Sequence, residues 1–257
     1  MKKKISMLTA ACLLAVAGPL VAQDEEQDSM DIYPVETWTC NYNEGKGPAD
    51  LDAAAANWNK WMDAEGVETY GALTVTPWYF GAETFDVGWI GWWPDGATMG
   101  AGTDMYLSEG GDAAAGFSAA VTCDSHANFA TTMIKSPGDG PAPDSVVLYF
   151  SDCNIRDGAE WNAVLGGLRA WGDYMTEQEY GNGVWIMFPA FGSGDMKFDF
   201  KSVTSYANHA AAGTAYDKYA NGGGWQKRME LLGDKLDCDV SRVYNATFRR
   251  NMPEGED

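Results

Sequence analysis

The chain is 257 residues long, carries 37 acidic against 17 basic side chains for a formal charge of −20, and is 46% hydrophobic. So large a negative excess repels phosphate backbones and anionic lipid headgroups, which excludes nucleic acid and membrane surfaces as partners. The length is ample for a sizeable core divided between two small units.

Residues 1–22 read as a signal peptide: Lys2, Lys3 and Lys4 give a basic start, Ile5 to Val16 an apolar middle, and Leu20-Val21-Ala22 a cleavage site. The apolar run is short and broken at Gly18-Pro19, whereas roughly 20 apolar residues are needed to span a bilayer. Thr9-Ala10-Ala11-Cys12 imitates a lipidation box, but the apolar run continues past the cysteine. The expectation is a soluble periplasmic or secreted protein with no membrane insertion after cleavage. Residues 23–34 form an acidic leader too poor in apolar side chains to order itself.

The stretch from Cys40 to Gly71 is written a second time from Cys153 to Gly181. Each copy opens on Cys-Asn and closes on Trp61, Asp63 and Tyr70-Gly71 in one case, on Trp171, Asp173 and Tyr180-Gly181 in the other. The chain is therefore a tandem duplication, with a first repeat at 35–135, a Pro- and Gly-rich linker at 136–144, a second repeat at 145–250 and an acidic tail at 251–257. Cys40 and Cys123 stand 83 residues apart, Cys153 and Cys238 stand 85 apart. Of the three pairings four cysteines allow, that one respects the duplication, and each bridge would contribute about 4 kcal/mol on a chain-entropy view. No Cys-x-x-Cys points instead to a metal or redox site.

In chain order, the first repeat predicts a strand at 36–42, then a helix capped by Asp50 in which Leu51, Ala54, Ala55 and Trp58 recur at helical spacing. A strand at 72–80 follows, with Pro77 marking an edge or bulge, and another at 85–93. Residues 94–111 are glycine-rich, with one short helix near 102–107; a helix at 112–121 and a strand at 124–135 close the repeat. The second repeat predicts strands at 146–152, 184–191 and 196–203, helices from Trp161 to Met175 and from Trp225 to Leu232, and a last strand at 239–249.

The order β-α-β-β-α-β, written twice, is that of a ferredoxin-like unit, an antiparallel sheet with both helices on one face. Each sheet keeps a bare face, and the expected α+β fold packs the two units sheet to sheet as an intramolecular barrel. In this the chain resembles the dimeric α+β barrel superfamily, which includes antibiotic-biosynthesis-type monooxygenases, muconolactone isomerases, and haem-binding dye-decolourising peroxidases and chlorite dismutases. The resemblance implies a site between the sheets. It also implies an oxyanion-stabilising set of the monooxygenase kind, for which Asn41, Trp93 and Arg242 stand as candidates.

Aromatic side chains abound, with 11 Trp, 12 Tyr and 10 Phe. Trp78, Trp89, Trp93, Trp185 and Phe188 fall on predicted strands as candidate ligand contacts, although aromatics at strand spacing also read as core. The two histidines, His126 and His209, lack partners at metal-ligand spacing, so no metal and no cofactor is expected. Asp86 and Asp199 follow matching phenylalanines and are weak candidates for general bases. The function expected is the binding of a small apolar or aromatic ligand, or of a protein partner, between the sheets of a monomer or homodimer. The alternatives are a cofactor-independent monooxygenase or isomerase and, third, a haem protein.

Overall fold

The computed structural model describes residues 30–82, 84–138, 143–192 and 194–252. The predicted signal peptide, most of the leader, the middle of the linker and the end of the tail lie outside the described residues. No described helix is long and apolar enough to cross a membrane.

Strand β1 (Tyr33–Tyr42) shows how side-chain alternation builds the layers. Tyr33 and Val35 join one apolar cluster, Trp38, Cys40 and Tyr42 another on the opposite face. The first half continues with α1 (Pro48–Ala64), β2 (Gly71–Tyr79), β3 (Val87–Trp92), α2 (Gly96–Glu109), α3 (Gly111–Ala120) and the long β4 (Val121–Lys135). The second comprises β5 (Ser145–Ile155), α4 (Trp161–Glu177), β6 (Asn182–Phe191), β7 (Phe200–Tyr206), α5 (His209–Ala220), α6 (Gly224–Leu232), β8 (Leu236–Cys238) and β9 (Arg242–Arg250).

All strand pairs are antiparallel, and the neighbours run β7-β6-β4-β1-β3-β2-β9-β5, with β5 closing onto β7. The result is a closed barrel of eight strands in an α+β fold, with β8 continuing the line of β9 along β5. The expected α+β barrel is found, its interior drawing Val35, Leu73 and Phe129 from one half and Phe150, Met187 and Tyr244 from the other. The halves meet edge to edge, β2 on β9 and β4 on β6, so that no strand edge is left bare at the seams and one continuous sheet encloses the core.

The bridges Cys40–Cys123 and Cys153–Cys238 join strands directly opposite one another, β1 to β4 and β5 to β8. Asp86 and Asp199 lie just before β3 and β7 rather than within strands. Each clamps the chain beside a bridged cysteine. The Asp86 carboxylate accepts from Tyr42 N at 3.0 Å while its own N–H donates to the Cys40 carbonyl, and Asp199 accepts from Ile155 N at 2.7 Å while donating to Cys153.

Two helices exceed expectation. The glycine-rich stretch after Pro94 forms the 14-residue α2, started by Asp95, whose carboxylate accepts from Thr98 N. The alanine-rich stretch after β7 forms α5, started in the same way by Asn208 on Ala211 N. The barrel interior is filled by Val35, Leu73, Phe129, Phe150, Met187, Tyr244 and their neighbours. Phe129 and Ala246 are each 1% exposed, which leaves no space of ligand size against them.

Candidate functional site

The sequence-derived candidates do not converge. Asn41 bonds Asp124 near one end of β1, whereas Trp93 follows β3 at the other end, with its N–H on the Pro34 carbonyl. Seven residues of strand separate those two places, roughly 23 Å. Arg242 lies in the second half, its guanidinium 3.2 Å from Asp152, which also pairs with Lys201 at 2.5 Å. Trp78 is exposed at the end of β2 beside His209, with ring centres 5.4 Å apart. Trp185 packs inside the barrel, Phe188 lies under α4 against Trp161, and Trp89 and Trp93 lie in the helix-covered layer of the first half.

That last layer holds an arrangement the sequence reading missed. Three donors surround the Glu36 carboxylate: Tyr70 Oη at 2.6 Å, Trp38 Nε1 at 3.2 Å and His126 Nε2 at 2.8 Å, the last in the tautomer that carries its proton on Nε2. Trp89 Nε1 donates in turn to Tyr70 Oη at 2.9 Å. The His126 ring stacks on Trp38 with centroids 3.5 Å apart. The side chain of His126 is 47% exposed, that of Glu36 15%, and Tyr70 only 4%. A continuous polar path therefore runs from solvent to a buried phenol. Burial first, and the Glu36 charge second, hold that phenol well above the ordinary tyrosine range, so at neutral pH it keeps its proton.

The second half lacks this path at the corresponding places. Counted from the bridged cysteines, Tyr149 stands where Glu36 does, and Ser151 and Ser241, hydrogen-bonded at 2.8 Å, stand where Trp38 and His126 do. The glycines explain how the two tyrosines part ways. A methyl group on Gly91 would lie 1.8 Å from Tyr70 Oη, so only a bare backbone lets that hydroxyl cross β3 to Glu36. Thr204 occupies the matching place in β7, and the Tyr180 hydroxyl lies instead against Gly224, buried and without a hydrogen-bond partner.

A closed barrel of eight antiparallel strands with helices outside is the architecture of the dimeric α+β barrel proteins, and solved structures of that class superpose on this chain. They include a candidate monooxygenase from Fusobacterium nucleatum (11% identity, 88% of this chain and 96% of that one, TM-score 0.53), a candidate chlorite dismutase (12%, 85% and 95%, 0.52) and a candidate monooxygenase from Lactobacillus acidophilus (12%, 86% and 95%, 0.51). At these identities the likeness establishes the fold alone. No model of a protein family matches the sequence, and neither does any curated protein.

The described residues do not fit a haem. Nε2 of His126 is engaged by Glu36 and one face of its ring by Trp38, while His209 Nε2 lies 2.8 Å from Asn245 Oδ1. In the layers between helices and sheet, Ala72, Ile186 and Phe200 are at 0% exposure. Among the described residues no three His, Cys, Asp or Glu side chains converge on a metal position.

Proposed function

We propose that this protein is an exported, cofactor-independent acid–base enzyme of the monooxygenase or isomerase type, acting on a small hydroxyaromatic molecule at Glu36, Tyr70 and His126. Two fused copies of one unit, residues 35–135 and 145–250, supply the scaffold, and the signal-like segment 1–22 and the two disulfides support passage to an oxidising compartment. The observation that carries the reading is the polar path from the half-exposed His126 through Glu36 to the buried Tyr70, built in one half only.

Glu36 is the base. It takes a proton from a substrate hydroxyl and returns it to the product or to solvent when the product leaves. Once Glu36 carries the proton, the Tyr70 hydroxyl is released from it to donate to the oxyanion formed on the substrate. Trp89 Nε1 holds Tyr70 Oη in place throughout.

The test is oxygen uptake and product formation with a panel of dihydroxynaphthalenes. Glu36→Gln is expected to lower turnover by about 10²–10⁴, the usual contribution of a positioned base, whereas Arg242→Ala in the other half should stay within about twofold. Full activity in Glu36→Gln would refute the assignment. Tight binding of the same compounds with no turnover would refute catalysis and leave a binding protein.

A further inference from the structure

We infer that helix α2 is the door of this site, lifting from the aromatic layer to admit a planar, uncharged hydroxyaromatic molecule onto Glu36 and Tyr70. The inference rests on the acid–base reading for the identity of the site. Its evidence is separate: the way α2 is seated.

None of the 14 residues of α2 is buried. Met99, Met105 and Tyr106 only lean on the layer formed by Trp58, Tyr70 and Trp93. Its contacts include Asn128 Nδ2 on Met99 Sδ at 3.4 Å, the edge of Trp61 against Tyr106 at 5.9 Å and the backbone of Gly102 near the Trp93 indole, where a methyl group would stand 3.1 Å from Nε1. The matching helix of the second half is held harder. α5 buries Ala212 and Ala215, and Lys218 Nζ ties it to the carbonyls of Gln178 and Glu179 at 2.7 and 2.6 Å.

Composition points the same way. Gly100 and Gly102 lie inside α2, against Gly213 alone inside α5, and each interior glycine weakens a helix about fivefold relative to alanine. The chain passes from α2 to α3 through Gly110 and Gly111, as it passes from α5 to α6 through Gly222, Gly223 and Gly224, so a place for a change of direction is common to both halves and the difference lies in how each helix is held. The loosely held helix thus covers the half that carries the polar path, and the tightly held one covers the half that does not.

What would enter is set by what lies beneath. The rings of Trp93 and Trp58 stand 4.5 and 5.4 Å from that of Tyr70, and Trp89 lies 5.3 Å from Trp58, a set of apolar faces suited to a flat ring. The polar groups at its floor include the Glu36 carboxylate, the hydroxyl and indole donors around it and the Asn128 amide, which match a ligand hydroxyl. The formal charge of −20 turns anions away.

Gly100→Ala tests the door, because a methyl group there meets nothing within 4 Å and can only favour the closed helix. Gly213→Ala in α5 meets nothing either and is the control. In the unmodified protein the α2 amides should exchange with solvent faster than those of α5. Gly100→Ala should slow them about fivefold and lower the association rate of 2-naphthol, followed by tryptophan quenching, by the same factor; Gly213→Ala should leave that rate unchanged. Equal protection of α2 and α5, or slower exchange with no change in association rate, overturns the inference. Loss of turnover in Glu36→Gln alongside either result sinks the door alone. A fivefold slower 2-naphthol association together with full turnover in Glu36→Gln sinks the acid–base reading and leaves the door standing.

Discussion

Replacing Gly91 with alanine tests whether a bare backbone on β3 is what lets Tyr70 reach Glu36. The added methyl group would sit 1.8 Å from Tyr70 Oη, 2.4 Å from Cζ and 2.8 Å from Cε2, so the ring has to move by more than 1 Å to regain van der Waals distance. Trp93 and Trp58, at 4.5 and 5.4 Å between ring centres, bound the space into which it moves. A shift of that size breaks the 2.6 Å bond to Glu36 and the 2.9 Å bond from Trp89. Hydrogen bonds to a charged group contribute about 1.5–3 kcal/mol and neutral ones about 1, so Gly91→Ala should cost about 3 kcal/mol. Tyr70→Phe removes the same two bonds without displacing the ring and should likewise cost about 3 kcal/mol. Because both changes act on one hydroxyl, the double variant should fall short of the sum by at least about 1 kcal/mol. Urea unfolding followed by tryptophan fluorescence, with both bridges intact, measures all three. Gly111→Ala, where a methyl group meets nothing within 4 Å, serves as the neutral control. A Gly91→Ala protein within about 0.5 kcal/mol of wild type, or strict additivity in the double variant, would refute the reasoning.

Alkaline pH should weaken the fold through its buried phenols. Burial raises Tyr33 to about 12 and holds Tyr70 and Tyr206 above the ordinary value of 10.0. The folded state thus keeps protons that the unfolded chain releases, and the stabilisation, complete below pH 10, is lost as pH rises towards the folded values. Each such phenol adds a slope of up to about 1.4 kcal/mol per pH unit. Urea midpoints between pH 9 and 11.5 should show Tyr70→Phe falling less steeply than wild type, and an unchanged slope would contradict the burial of that hydroxyl. Asp86→Ala and Asp199→Ala should each cost about 1–2 kcal/mol, since each leaves a strand-end amide without its acceptor. Neither should change turnover, and a selective loss of activity in one of them would reinstate it as a base.

Strand alternation, the amphipathic helices α1 and α4, and the two bridges were legible because each is written in local spacing or in the matched separations of 83 and 85 residues. Barrel closure was expected from the bare sheet faces, but the choice of edges that meet was not legible. A period of two tells which face of a strand is apolar and says nothing about which edge it will pair with, and the pairings β2 with β9 and β4 with β6 join residues from opposite halves of the chain. Helices α2 and α5 were hidden by their composition, since glycine and alanine give little hydrophobic periodicity. The readable signal there was the pair of caps, Asp95 before Thr98 and Asn208 before Ala211, which start the two helices alike.

The candidate site escaped for a different reason. Glu36 is 34 residues from Tyr70 and 90 from His126, with no motif spacing among them, and only the barrel pairing of β1 with β3 and β4 brings them to one face. Yet the repeat read from the sequence held a pointer. Asp86 and Asp199, like Cys40 and Cys153, play matching roles at matching places in the two halves. Three positions that differ, Glu36 against Tyr149, His126 against Ser241 and Gly91 against Thr204, lie on one hydrogen-bonded path. The substitution at Gly91 is the most telling. Glycine inside a strand weakens it and leaves nothing to pack, so its presence in β3 needs a cause, and the vacated space is taken by the phenol end of Tyr70 on its way to a carboxylate.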